Sequence, residues 1–136
     1  MSRRFVSAQS NRVSQKGGAS SQWGCLTVVY AAVMAVAAIV PLPEQPSATV
    51  GWLDKVVHLC EYLLLAWCWL QIRRPAKLSG GFVARVLMGT IGYGLLLEAT
   101  QLWVPYRTAQ WADALANAIG AGLGTWLGVW RSSIQR

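Results

Sequence analysis

A chain of 136 residues with 54% apolar and 12% charged residues has too little charge to cover a soluble domain, in which about 25% is usual. The positive mean hydropathy of +0.38 also favours a single-domain membrane protein. The formal net charge of +7 does not indicate a nucleic-acid partner, because most basic residues lie outside the apolar runs and no nucleic-acid-binding motif is present.

The N-terminal part of the chain divides into a polar tail and a first apolar run. Residues 1–22 are rich in Ser, Gln and basic residues and lack apolar periodicity, which predicts a disordered basic cytoplasmic tail. Residues 24–40 are uncharged and apolar and end at Pro41, which predicts a first transmembrane helix. A cleaved signal peptide is the alternative, but this run is longer than a usual signal core and lacks a clear small-x-small cleavage site.

Three further apolar runs follow, and each ends at proline or at basic residues. The runs, with the residues that end them, are 55–72 (Arg73 and Pro75), 82–104 (Pro105) and 111–130 (Arg131). We therefore predict an all-α integral membrane bundle of four transmembrane helices over residues 23–131. Residues 132–136 form a short C-terminal cytoplasmic tail in this prediction.

The distribution of Lys and Arg predicts the orientation. These residues concentrate in the N-terminal tail, in the loop between the second and third runs and after the fourth run. This bias predicts that both termini are cytoplasmic and that the protein crosses the cytoplasmic (inner) membrane several times. Trp52, Trp103 and Trp111 lie at the predicted outer ends, as expected of an interfacial aromatic belt.

The acidic residues give the main functional clue, since all five fall in the predicted outer half. An ionised side chain at the bilayer centre costs roughly 3 kcal/mol, so such residues face the bundle interior and lie near partners. Within each run the polar residues are three or four positions apart and share a helix face. They are Asp54, His58 and Glu61, then Glu98 and Gln101, then Asp113 and Asn117.

We predict that these three faces converge on one site at the outer ends of the helices. The candidate catalytic residues are His58, Glu98 and Asp113. The candidate substrate-binding residues are Asp54, Lys55, Tyr62, Gln101, Arg107 and Asn117. Lys55 and Arg107 are the cations that would engage a phosphate or a carboxylate, while His58 and the carboxylates would exchange protons.

Two interpretations of this site stay open. In the first, the site binds or processes a membrane lipid or a lipid-linked envelope intermediate, with or without catalysis. In the second, the polar groups form a satisfied network that fixes the helix register, and the protein is a non-catalytic scaffold or helper that packs against another membrane protein.

Other chemistries have less support. A metal site built from His58 with Glu61, Glu98 or Asp113 is the weaker alternative, because a single His without an HExxH-type pair is little support for a metal. The site is therefore predicted without a metal or a cofactor. No GxSxG elbow occurs, which disfavours serine hydrolysis.

Small residues recur on the last two runs. Gly120, Gly124 and Gly128 are spaced by four residues and predict a ridge that lets a neighbouring backbone approach closely. Gly89, Gly92 and Gly94 are predicted to act in the same way on the third run.

Four ordered motifs over about residues 51 to 124 resemble the VanZ-like family. They are Asp54-Lys55-x-x-His58-x-x-x-Tyr62, Glu98-x-x-Gln101, Pro105-x-Arg107 and Asp113-x-x-x-Asn117-x-x-Gly120-Ala121. The resemblance implies a bacterial membrane protein of the cell envelope, of the type first associated with resistance to the glycopeptide antibiotic teicoplanin.

Overall fold

The computed structural model describes residues 3–40, 50–73, 78–104 and 110–134; side chains are described from Ser20 onwards and, in the second segment, from Trp52. These residues form four α-helices and no strand, which confirms the all-helical prediction. The helices are α1 (Arg3–Ile39), α2 (Val50–Gln71), α3 (Gly80–Gln101) and α4 (Trp111–Ile134). The last three coincide with the predicted apolar runs to within a few residues.

Helix α1 begins at Arg3, whereas the sequence predicts a disordered tail over residues 1–22. This segment contains no proline, so nothing in it prevents the helix from continuing, and Gly17-Gly18 is the pair with the lowest helix propensity. The segment that follows residue 40, with Glu44 and the three prolines at positions 41, 43 and 46, lies outside the described residues.

Two stretches are long and apolar enough to cross a membrane, Ser20–Ile39 of α1 and Gly80–Gln101 of α3. Helices α2 and α4 do not meet the same criterion of length and composition. The prediction of four spans and the predicted orientation of the termini therefore stay predictions.

The predicted glycine ridge on α4 is confirmed and faces α2. A Cβ atom at Gly120 or Gly124 would collide with the backbone carbonyl of Leu59 or Leu63, respectively, and one at Gly128 would lie 2.6 Å from Leu70 Cδ1. Glycine is needed at these positions because the backbones of α2 and α4 are in direct contact. These two helices form the most extensive helix contact of the described bundle.

The glycines of α3 act less uniformly than predicted. Gly94 packs against the α2 side chain Tyr62, since a Cβ at Gly94 would lie 2.9 Å from the tyrosine ring, and a Cβ at Gly89 would lie 2.6 Å from the Trp69 ring. Gly92 faces open space, with nothing within 4 Å of a Cβ placed there. The prediction of a packing role for Gly92 is therefore wrong, because this position falls on the outward face of α3.

Helices that follow one another in the chain run in opposite directions, whereas α2 and α4 run in the same direction, and this arrangement brings unlike groups to the two ends of the bundle. At one end Arg73 and Arg131 lie beside the junction of α2, α3 and α4, together with Leu78. At the other end the last turn of α3 meets the first turns of α2 and the C-terminal part of α1. The four described acidic residues, Asp54, Glu61, Glu98 and Asp113, all lie towards this second end.

Candidate functional site

The candidate site is a group of polar side chains from three helices, which we call the polar cluster. Its members are Asp54, Lys55 and His58 of α2, Glu98 of α3, and Asp113 and Asn117 of α4. Helical spacing brings them together, because Asp54 and His58 are one turn apart on α2 and Asp113 and Asn117 are one turn apart on α4. The close approach of α2 to α4 at Gly120 then places the two pairs against one another.

Lys55 is the cation of the polar cluster. Its Nζ pairs closely with Asp113 Oδ1, lies 3.6 Å from Asp54 Oδ2 and donates a hydrogen bond to Gln110 Oε1 at 3.0 Å. The Asp113 side chain is almost fully buried, whereas that of Lys55 keeps a quarter of its surface exposed. Asp113 also lies in the first turn of α4, where the helix dipole favours a negative charge.

His58 lies between these acids. One ligand-type atom of each of His58, Asp54 and Asp113 can be chosen so that all three lie within 4.8 Å of one another. The Nδ1 atom of His58 is buried and has no hydrogen-bond partner among the described residues. One nitrogen of this imidazole ring is therefore shielded from solvent and makes no hydrogen bond to a described residue.

A cavity of about 110 Å³ adjoins the polar cluster. Its wall is apolar on the α1 side and polar on the side of α2 and α3. The lining residues are Met34, Ala37 and Ala38 of α1, Asp54, Val57, His58, Glu61 and Tyr62 of α2, and Leu97, Glu98 and Gln101 of α3. The cavity thus collects all five residues of the predicted polar faces of α2 and α3, Asp54, His58, Glu61, Glu98 and Gln101.

Glu98 separates this cavity from a second space, a groove of about 280 Å³ between α3 and α4. The groove wall is mainly apolar and consists of Leu95, Glu98, Ala99, Leu102, Gln110, Trp111 and Ala114. Glu98 is 8% exposed, and its Oε2 has no hydrogen-bond partner among the described residues. A buried carboxylate is therefore the boundary between a polar cavity and an apolar groove.

Asn117 lies deeper between the helices. It is 3% exposed and packs against α3 at Gly94. Its amide lies near the Glu98 carboxylate, but neither amide atom makes a hydrogen bond of normal length and angle to a described residue. An unpaired buried polar group costs about 1–3 kcal/mol, so several such groups in one place need a physical reason.

Most of the predicted site residues come together. Asp54, Lys55, His58 and Asp113 are in direct proximity, and Tyr62, Glu98 and Gln101 line the same cavity as Asp54 and His58. Tyr62 also belongs to the apolar core with Met34 and Leu65. Arg107 lies outside the described residues, so its predicted contact with a phosphate or a carboxylate stays a prediction.

Sequence reasoning missed Gln110 and the apolar groove. Gln110 precedes Asp113 by three residues, and its backbone oxygen accepts a hydrogen bond from the Asp113 amide at 2.9 Å. The i, i+3 spacing of these two polar residues was a usable signal for Gln110. The groove has no such signal, because its apolar residues are common in any apolar helix and their joint position depends on how α3 packs on α4.

Comparison with known proteins agrees with the motifs. A family model described as VanZ/LLP1 matches residues 5–132, nearly the whole chain. No curated protein and no solved structure gives a significant match to the chain. The chain belongs to the VanZ/LLP1 family.

Proposed function

We propose that this protein crosses the bacterial cytoplasmic membrane four times and uses the polar cluster, at the outer end, to bind the headgroup of an anionic membrane lipid or lipid-linked envelope intermediate. The observation that supports it most is the position of Glu98, which is buried between a polar cavity and an apolar groove. A lipid has the same two-part chemistry, with a polar headgroup joined to an apolar chain.

The surfaces of α2 and α4 support four spans. Large apolar side chains are exposed along both helices, among them Leu53 and Leu64 on α2 and Leu115 and Trp126 on α4. The acids of these two helices instead lie in or beside the polar cluster, away from this apolar surface. This is the arrangement expected when hydrocarbon surrounds the bundle and ionisable groups turn inward.

Lys55 is the described residue best suited to an anionic group. Its Nζ already contacts two carboxylates, and its partly exposed side chain is long enough to exchange Asp113 for a phosphate oxygen. We propose that Asp54, Tyr62, Gln101, Asn117 and Arg107 help to bind the headgroup. His58, Glu98 and Asp113 are the proposed groups for exchanging protons with it.

The unpaired atoms distinguish this proposal from the scaffold alternative. A network that only fixes helix register would have its buried polar atoms paired. In the described residues, His58 Nδ1, Glu98 Oε2 and both amide atoms of Asn117 have no hydrogen-bond partner. These atoms favour a site that receives a polar ligand over a closed structural network.

The groove provides a direct test of lipid binding by native mass spectrometry of protein purified from membranes. Ala99 lines the groove, so Ala99→Trp should fill it and abolish the co-purified lipid. Ala84→Trp, at an exposed position of the same helix, is the matched control and should keep the lipid. Lys55→Met should lower the share of phosphate-containing lipids. Equal lipid retention in all three variants and in the unmodified protein would contradict the proposal.

A role in glycopeptide susceptibility rests on family membership, and we propose it as the cellular readout. Expression of the protein in a susceptible bacterium should raise the inhibitory concentration of teicoplanin, and Glu98→Gln or His58→Ala should remove this effect at unchanged protein abundance. Loss of the effect only when abundance falls, or only when outward-facing apolar residues are changed, would instead support a helper that packs against another envelope protein.

A further inference from the structure

The side chains of His58, Asp54 and Asp113 are of the types that bind divalent metal ions. An imidazole from α2, a carboxylate one turn before it and a carboxylate from α4 are brought within 4.8 Å of one another. Around an ion bound at about 2.1 Å, neighbouring ligand atoms lie about 3 to 4 Å apart, so only small side-chain rotations separate the observed set from a binding geometry. Asp54, at 40% side-chain exposure, has the freedom to make such a rotation.

The charge balance around this set favours a cation. Four carboxylates, those of Asp54, Glu61, Glu98 and Asp113, lie in or beside the polar cluster, and Lys55 is the cation that the described residues place among them. Carboxylates this close together in a poorly hydrated place repel one another unless positive charge or protons are added. A divalent ion supplies more positive charge than one ammonium group.

An independent observation comes from atoms outside the ion pairs. Glu98 is 8% exposed and lines the same cavity as Asp54 and His58, yet its Oε2 has no hydrogen-bond partner among the described residues. The Nδ1 of His58 is likewise buried and unpaired. A metal ion would take up one nitrogen of the imidazole, and a water on that ion would donate a hydrogen bond to the Glu98 carboxylate.

We infer that Asp54, His58 and Asp113 form a binding site for one divalent metal ion per chain, with Glu98 as a hydrogen-bond acceptor beside it. Lys55 is the competitor for this site, because its ammonium group occupies the oxygens of Asp113 and Asp54 that the ion needs. Metal binding therefore moves the Lys55 side chain away from Asp113. The metal site shares Asp54, His58 and Asp113 with the proposed headgroup site, but its test contains no added lipid, so metal binding is measured whether or not the protein binds a lipid.

Mn²⁺ is the appropriate probe, because it favours oxygen and imidazole ligands over the free thiols of Cys25, Cys60 and Cys68. Tag-free protein in detergent is titrated with Mn²⁺, and the free ion is followed by electron paramagnetic resonance. We expect one saturable site per chain. His58→Gln and Asp54→Asn should each weaken binding by at least about tenfold, which is the effect of losing about 1.4 kcal/mol.

Two variants distinguish a specific metal site from non-specific attraction of Mn²⁺ to an acidic region. Glu61→Gln removes the same charge as Asp54→Asn and also lines the cavity, but Glu61 is not among the three ligands and its loss should change affinity little. Lys55→Met removes the competitor and should tighten Mn²⁺ binding severalfold. Each variant is compared at equal helical content and equal elution volume.

The inference is overturned by any of three results. Binding without saturation shows that no site exists. Equal weakening by Glu61→Gln and Asp54→Asn shows attraction to negative charge only. If the Lys55→Met variant binds Mn²⁺ as tightly as the unmodified protein or more weakly, the ammonium group and the ion do not compete for the oxygens of Asp54 and Asp113. Asp54 is the principal test position, because its partly exposed side chain makes misfolding of the variant the smallest concern.

Discussion

The ion pair between Lys55 and Asp113 joins α2 to α4 at one end of the bundle, and its two partners differ in burial. Asp113 is almost entirely enclosed, whereas Lys55 retains access to the surface and a second partner in Gln110. Removing one partner of a buried pair leaves the other charge uncompensated. The decrease in the free energy of unfolding should therefore depend on which of the two partners is substituted.

Lys55→Met should lower stability more than Asp113→Asn. The first change leaves the buried Asp113 carboxylate without its cation, and we expect the free energy of unfolding to fall by about 1–3 kcal/mol. The second leaves an ammonium group that can turn towards Gln110 and the surface. Thermal unfolding followed by intrinsic fluorescence of the eight tryptophans measures both variants and their combination.

The double variant should lose less than the sum of the two single losses, because both remove the same contact. Arg85→Met is the control, since Arg85 is exposed and its Nε donates a hydrogen bond within its own helix, to Gly81 O at 3.1 Å. Strict additivity, or a loss in Arg85→Met as large as that in Lys55→Met, would contradict the assigned pair.

Much of this site was predictable residue by residue. Helical periodicity alone puts Asp54 with His58 and Asp113 with Asn117, and the cost of buried charge implies that such faces meet. The periodicity does not say that Lys55 pairs with Asp113 on α4 more closely than with its neighbour Asp54. That preference depends on the rotation of α2 against α4, which the glycine contacts determine.

At the scale of the elements, α2 and α4 fit together through backbone rather than side-chain contacts. Gly120 and Gly124 place α4 directly against the carbonyl groups of Leu59 and Leu63, and Thr125 and Ala121 are buried beside them. The four-residue spacing predicted a ridge of this kind, but it did not identify α2 as the partner. The residues that α2 contributes are ordinary leucines whose side chains carry no sign of the contact.

Gly124→Ala should destabilise the bundle, because its added methyl group meets the Leu63 carbonyl and forces α4 away from α2. Gly122→Ala is a matched control two residues away, where a Cβ would have nothing within 4 Å. Alanine exceeds glycine in helix propensity by about 1 kcal/mol in water, so this control should be neutral or stabilising. Thermal unfolding and folded yield in membranes provide the comparison.

The displacement of α4 in Gly124→Ala should also change the geometry of the polar cluster. Separation of α4 from α2 would lengthen the contact between Lys55 and Asp113, so Gly124→Ala should also weaken any binding measured at the site, whereas Gly122→Ala should not. Equal stability and equal binding in the two alanine variants would show that the close approach of the helices is not needed.

At the scale of the whole molecule, Arg73 and Arg131 lie at one end of the described bundle, whereas Lys55 lies with the described acids towards the other. Arg73 lies over the ring of Phe82, and Arg131 lies over that of Trp67, at 4.5 and 5.7 Å from the ring centroids. Trp126 and Trp130 stack near the same end, and the described acids lie towards the other end. Cations beside interfacial aromatic rings are typical of the cytoplasmic boundary of a membrane protein.

The fold class was therefore predictable from composition and from the apolar runs, but the number of spans was less so. Helices α2 and α4 combine charged or small residues with an apolar exterior, and hydropathy averages over both. Only the packed bundle separates the inward polar face from the outward apolar one. A direct measurement of topology is consequently the most informative experiment at this scale.

If all four helices span the membrane with the arginine-rich end inside, reporters fused after Lys77 and after Gln135 should be cytoplasmic, and those fused after Gln45 and after Tyr106 should be periplasmic. Paired fusions to alkaline phosphatase, which is active outside, and to a fluorescent protein that folds inside give opposite signals at each position.

Two spans formed by α1 and α3 alone would make the signals at Gln45 and Lys77 equal. A cytoplasmic signal at Gln45 would reverse the orientation, and a mature N-terminus beginning after Val40 would identify the first apolar run as a cleaved signal peptide. The expected pattern would put Asp54, His58 and Asp113 at the outer face, where an envelope lipid and an external metal ion have access to the polar cluster.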